Sequence, residues 1–147
     1  MIKQGFSFEF EVPDDWVQFI QNTQTVLQGP SNEEIIIAGW TVRGEAPYLE
    51  VATLRETLFQ NAVDSINSVL SQPNVITLAP LQKVDGSEDL ERWRIEAKTN
   101  DDTTLFFASI LISRKGVLLI TFESPNDPSL LSSYNRLIAS IRSLDSQ

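Results

Sequence analysis

The 147-residue chain contains no cysteine and no histidine. These two absences remove the thiol nucleophile, the disulfide, the Cys/His zinc site, the haem histidine and the Ser-His-Asp relay. They also remove the imidazole that switches charge near neutral pH. Glycine is sparse, with six residues. Gly29, Gly39, Gly44, Gly86 and Gly116 are scattered and form neither a phosphate loop nor a dinucleotide fingerprint. Apolar runs are short and interrupted, so the sequence offers no direct membrane span. Basic side chains are few, 11 Lys+Arg against 20 Asp+Glu, for a formal net charge of -9. Such a field repels a phosphate backbone and, without zinc-finger or RNA-binding signatures, no nucleic-acid partner is expected.

What is present suits a packed core. Apolar residues make up 41% of the chain, with eight Phe and three Trp. The length is that of one domain, expected over residues 1–147. The start, MIKQGFSFEFEVP, has no basic-then-apolar leader pattern, and a cytoplasmic location is the expectation. Charge is uneven: residues 1–75 carry ten acidic and three basic side chains, whereas residues 76–147 carry ten and eight.

Periodicity predicts an α+β chain. Phe6, Phe8, Phe10 and Val12 alternate with polar residues as in a half-buried strand, which Pro13-Asp14-Asp15 ends before Trp16. Short strands are expected at Val17–Ile20 and Thr25–Leu27, then one at Ile35–Val42. Val51, Leu54, Leu58, Ala62, Ile66 and Val69 follow the spacing of one helix face over about Pro47–Leu70. A meander follows: Val75–Val84, where Pro80 argues for an edge strand or a bulge, then strands around Arg92–Lys98, Thr103–Ser113 and Val117–Phe122. A closing helix is expected from about Pro128 to Leu144, capped by Asp127. The fold class is therefore an antiparallel sheet of about six strands with an N-terminal hairpin, one long central helix and one C-terminal helix.

Chemistry-bearing residues are mainly carboxylates. Glu9 and Glu11, Asp14 and Asp15, and Asp101 and Asp102 occupy a strand face or turns, where such residues are ordinary. No catalytic residue, cofactor site or metal site is expected from them. Arg92 and Arg94 share a strand face and could recognise a carboxylate; the alternative pairs them with neighbouring acids. The segment TTLFFASILIS is apolar on both faces, as is the strand after it. Two readings stand open. Helices or a folded-over hairpin cover both faces, or one face is an interface. On the second reading the protein-contacting residues are Trp40, Phe106, Ile110, Ile112, Leu118 and Ile120, with Leu105, Phe107 and Leu111 in the core.

FSFEFEVPDDW and VLLITFESPNDPSLLSSYNRLIASI resemble the opening strand and the closing strand, connection and helix of Mog1/PsbP-like proteins, especially the DUF1795/DcrB-like family. The resemblance spans nearly the whole chain. It implies a mostly non-enzymatic group, including the acidic, dimeric Eag chaperones that hold apolar segments of secretion effectors. No segment-binding residue set carries over residue by residue. The expectation is a non-catalytic, protein-binding adaptor or chaperone-like protein, able to form a homodimer, that shields an apolar segment of a secreted or membrane-destined partner. The alternatives are a structural subunit of a larger assembly and a carboxylate-based hydrolase.

Overall fold

The computed structural model describes residues 2–5, 8–21, 24–41, 48–84, 91–112 and 116–143. Among the described residues ten strands and two α-helices follow one another as β1 (Ile2–Gly5), β2 (Phe8–Glu11), β3 (Val17–Gln21), β4 (Gln24–Gln28), β5 (Glu34–Thr41), α1 (Tyr48–Leu70), β6 (Val75–Val84), β7 (Glu91–Thr99), β8 (Thr104–Ile112), β9 (Gly116–Pro125), α2 (Leu131–Ser140) and β10 (Arg142–Ser143). β3 to β9 form one seven-stranded sheet in the order β3-β4-β5-β9-β8-β7-β6, and β1, β2 and β10 form a small second sheet. All pairings are antiparallel.

β8 and β9 lie inside the sheet because their sequences are apolar at both parities. A strand buried on both faces reads as a continuous apolar run, and every residue of β8 from Leu105 to Leu111 is buried. The register sorts these side chains into two cores. Ile37, Ile120 and Ser109 share one row across the sheet, as do Ile35, Phe122 and Phe107. With Leu111 and Leu118 they pack under α2 and the N-terminal segment, against Phe10, Val12, Trp16, Tyr134, Leu137 and Ile141. On the other face Phe106, Ala108, Ile110, Val117 and Leu119 meet Ala62 and Ile66 of α1. Phe59 and Trp93 extend that cluster, with their ring centroids 5.3 Å apart.

Helices and hairpin thus cover both faces, and this overturns the interface expected of the sheet centre. Phe106, Ile110, Leu118 and Ile120 are buried and Ile112 is half-buried. The five do not even share a face. Leu118 stands opposite Leu111 and Ile120 opposite Ser109, whereas Ile110 stands opposite Leu119. Trp40 pairs through its backbone with Val117; its side chain lies outside the described residues.

Two sequence expectations change in detail and a third is met. A strand of its own, β1, precedes the expected first strand and pairs with it, Ile2 opposite Glu11. The C-terminal helix is shorter than its apolar stripe. Asp127 Oδ1 accepts from the Ser129 amide at 3.0 Å and opens a 3-10 turn, Pro128–Leu130, before α2 begins. Ile141 is extended, and Arg142 and Ser143 pair with Glu9 and Phe8. Pairing in the second sheet wins over continued helix there; Leu144 lies outside the described residues. Pro80 does sit in an edge strand with register shifts on both sides of Ala79.

Candidate functional site

Among the described residues two surface features lie outside the closed cores, one at each edge of the α2 face. The first is built on β3. This strand is VQFIQ, without a charge or proline, and it ends the seven-stranded sheet. Val17 and Ile20 keep 62% and 66% of their surface exposed, and Phe19 keeps 37%. The chain reverses just before it, where the Trp16 amide donates to the Pro13 carbonyl at 3.2 Å. That turn drives Trp16 into the core and leaves Asp14 and Asp15 in solvent. A groove of about 560 Å³ runs between the turn and the strand, lined by Val12, Pro13, Asp14, Trp16, Phe19 and Ile20 among others.

An edge strand presents unpaired backbone donors and acceptors, and proteins usually blunt it with Lys, Pro or a bulge. The opposite edge, β6, has all three. Pro80 removes a donor, the register shifts flank Ala79, and Lys83 pairs with Glu91 at 3.1 Å. β3 has none of these. Its groove therefore offers apolar area and backbone hydrogen bonds together.

The second feature is a cleft of about 240 Å³ between β7 and α2. Arg92 and Arg94, two positions apart, point to the same face. They stand opposite Leu111 and Ser109 of β8, and α2 lays Tyr134, Asn135, Ile138 and Ala139 along the other wall. Arg94 pairs with Glu96 at 3.2 Å, as the neighbour-pairing alternative expected, and its guanidinium lies 5.2 Å from the centre of the Phe107 ring. The Nε atoms of both arginines are buried and have no hydrogen-bond partner. At the cleft's inner end the Tyr134 and Ser109 hydroxyls share a 2.5 Å hydrogen bond. Burial pushes the Tyr134 phenol up to about 12, so it is a neutral hydroxyl at physiological pH.

Among the described residues that line the two hollows Asp14 is the one acidic side chain, so they show no facing carboxylates. Glu34 and Glu123 stand opposite each other across β5 and β9. Partial burial, and then the Glu34 charge, raises the Glu123 pKa above its ordinary value. Glu123 is nevertheless exposed near the end of its strand. Asp101 accepts from the Thr99 and Thr103 hydroxyls, each at 2.7 Å, and from the Thr103 amide at 3.1 Å. Asp102 pairs with Lys98. Both carboxylates thus serve the β7–β8 hairpin. Among the described residues no group of three acidic side chains is placed to hold a metal, and no helix is long and apolar enough to cross a membrane.

The β3 groove escaped sequence reasoning. Val17-Gln18-Phe19-Ile20 read as an ordinary short return strand, and edge position is a property of the sheet order. The one signal available was its lack of charge within an acidic half-chain.

No protein-family model matches the chain, and no curated protein sequence does. Solved structures match by fold. The cyanobacterial PsbP (CyanoP) of Synechocystis sp. PCC 6803 superposes with a TM-score of 0.57 at 12% identity, covering 93% of this chain and 86% of that one. LpqN of Mycobacterium tuberculosis, involved in cell envelope biogenesis, gives 0.51 at 11% identity over 91% and 81%. A protein of Bacteroides thetaiotaomicron VPI-5482 gives 0.52 at 15%, with 93% of this chain spanning 45% of that one. The chain has the Mog1/PsbP-like α+β fold that its opening and closing segments resemble.

Proposed function

We propose that this Mog1/PsbP-like chain is a non-catalytic protein-binding module whose docking site is the β3 edge and its groove. The observation that carries the proposal is the exposure of Val17, Phe19 and Ile20 on an uncharged edge strand beside about 560 Å³ of open groove. An extended segment added to such an edge gains backbone hydrogen bonds from the strand and side-chain specificity from the groove. The occupant is a neutral, apolar segment of another protein with a basic residue at one end. β3 offers no charge to pair with, while Asp14 and Asp15 stand exposed beside the groove. This accords with the adaptor or chaperone-like role that the DUF1795/DcrB-like resemblance implies. It moves the contact from the sheet centre to the sheet edge.

The test places a photo-crosslinking residue at Gln21 of β3, with Lys83 of β6 as control. Any cross-linked peptide is identified, synthesised and added to the purified protein while amide exchange is followed. The expected result is protection of the Val17–Gln21 amides, lost in an Ile20→Lys variant. Cross-linking no greater than at Lys83, or a peptide that protects no β3 amide, overturns the proposal. Pairing of β3 with β3 of a second copy would show as a dimer in sedimentation, and it would replace the foreign segment with the chain itself.

A further inference from the structure

We infer that the cleft between β7 and α2 is a binding site for a small carboxylate with a short apolar tail, its charged end held by Arg92 and Arg94. This site lies at the other end of the sheet from β3. Ile20 and Arg94 lie on one cross-sheet row, separated by Thr25, Ile37, Ile120 and Ser109. Each site can therefore fail without the other.

The argument starts from the two orphaned Nε atoms. A buried donor on a charged group loses its hydration and regains it only through an acceptor. One such atom beside a hollow is an ordinary imperfection. Two, on arginines that share a strand face and line the same 240 Å³ cleft, mark a pair of under-satisfied guanidinium groups whose ends meet an anion there. Glu96 already occupies Arg94 at 3.2 Å, which shows that the guanidinium is oriented to take a carboxylate. Stacking on Phe107 holds its plane in place. A guanidinium fork matches a carboxylate in geometry as well as charge.

The rest of the cleft selects what the carboxylate is attached to. Val84, Leu111, Ile138 and Ala139 supply apolar wall, while the Tyr134–Ser109 pair and Asn135 supply hydroxyls and an amide. The volume is below the roughly 300–1,000 Å³ of drug-sized sites, so the tail is short. The chain's net charge of -9 disfavours multiply charged anions at long range and leaves a monocarboxylate as the favoured class.

The test is a titration of the labelled full chain, followed by amide chemical shifts, with hexanoate, acetate and hexanol as probes. Hexanoate is expected to give saturable shifts at Arg92–Arg94 and Tyr134–Ala139, acetate to bind more weakly, and hexanol to give none. Arg92→Gln and Arg94→Gln, each verified as folded by thermal melting, are expected to weaken hexanoate binding about tenfold or more, the scale of one lost charge-assisted hydrogen bond. The inference is overturned if hexanol binds as hexanoate does, if acetate binds as tightly as hexanoate, or if both folded variants bind hexanoate like the parent. The comparison of hexanoate with hexanol needs no variant, so it decides the matter even if the substitutions unfold the chain.

Discussion

Tyr134 carries more of the α2 core than its size alone explains. It is fully buried and stacks on Phe122, with ring centroids 5.0 Å apart, and meets Phe107 edge-on at 6.2 Å. Its hydroxyl is also the partner that makes Ser109 tolerable inside a sheet. Tyr134→Phe leaves the buried serine hydroxyl without that partner, at a cost of about 1–3 kcal/mol. Adding Ser109→Ala is expected to return much of this loss, and chemical denaturation of the two single variants and the double variant measures it. The same residue sets an alkaline limit. Unfolded, the phenol loses its proton near 10; folded, it holds the proton until about 12. Stability from Tyr134 is therefore complete below pH 10 and lost as pH rises through 12, a slope that should be missing from Tyr134→Phe. Asp101 works in the opposite direction. The Thr99 hydroxyl first, then the Thr103 hydroxyl and amide, lower its pKa below 3.8. Its contribution to the hairpin is present above pH 3.8 and is lost as pH falls further, so Asp101→Asn should flatten the acid limb of the unfolding profile.

At the scale of elements, the pairing of β5 with β9 sets Glu34 against Glu123. Like charges directly opposite weaken a pair of strands. Glu123→Gln is expected to stabilise the fold slightly at neutral pH, by about 0.5 kcal/mol or less given solvent screening. The sign follows from the raised pKa. Below the ordinary value of 4.5 the carboxyl is protonated and the repulsion is gone, so the gain should fade as pH drops through that region. Thermal melts of parent and variant at pH 7 and pH 4 show whether it does. The helices illustrate what periodicity conveys and what it omits. The three-and-four spacing from Val51 to Val69 marked α1 to within a residue of its observed start at Tyr48, because Ala62 and Ile66 must face the sheet. The same spacing carried the C-terminal helix four residues too far. Ile141 is buried as expected, yet it gets there in an extended backbone held by the pairing of Arg142 with Glu9. That partner lies more than 130 positions away in the chain, beyond the reach of any local pattern.

For the whole molecule, the closed cores and the open β3 edge make contrasting predictions. Ile110→Ala on the α1 side and Leu118→Ala on the α2 side each remove a fully buried side chain, and each should cost roughly 2–5 kcal/mol. Because these residues pack within one chain, the urea midpoints should not change with protein concentration. A midpoint that rises with concentration would return them to an intermolecular interface. Ile20→Lys, at a site 66% exposed, should leave stability within about 0.5 kcal/mol while abolishing capture of an apolar segment at β3.

The lack of cysteine and histidine, the alternation of Phe8 to Val12, the helical stripe of α1 and the doubly apolar β8 and β9 are local or compositional facts. They determined the α+β class, the element order and the chemistries this chain does not possess. Only the tertiary structure decided which apolar residues stay covered. Register put Leu118 and Ile120 on the face opposite Ile110, and sheet order left VQFIQ at an edge. The packing of α2 on β7 turned two ordinary strand arginines into the wall of a cleft. Each outcome depends on contacts between residues far apart in the chain, and hydrophobicity along a segment carries no record of what will lie beside it.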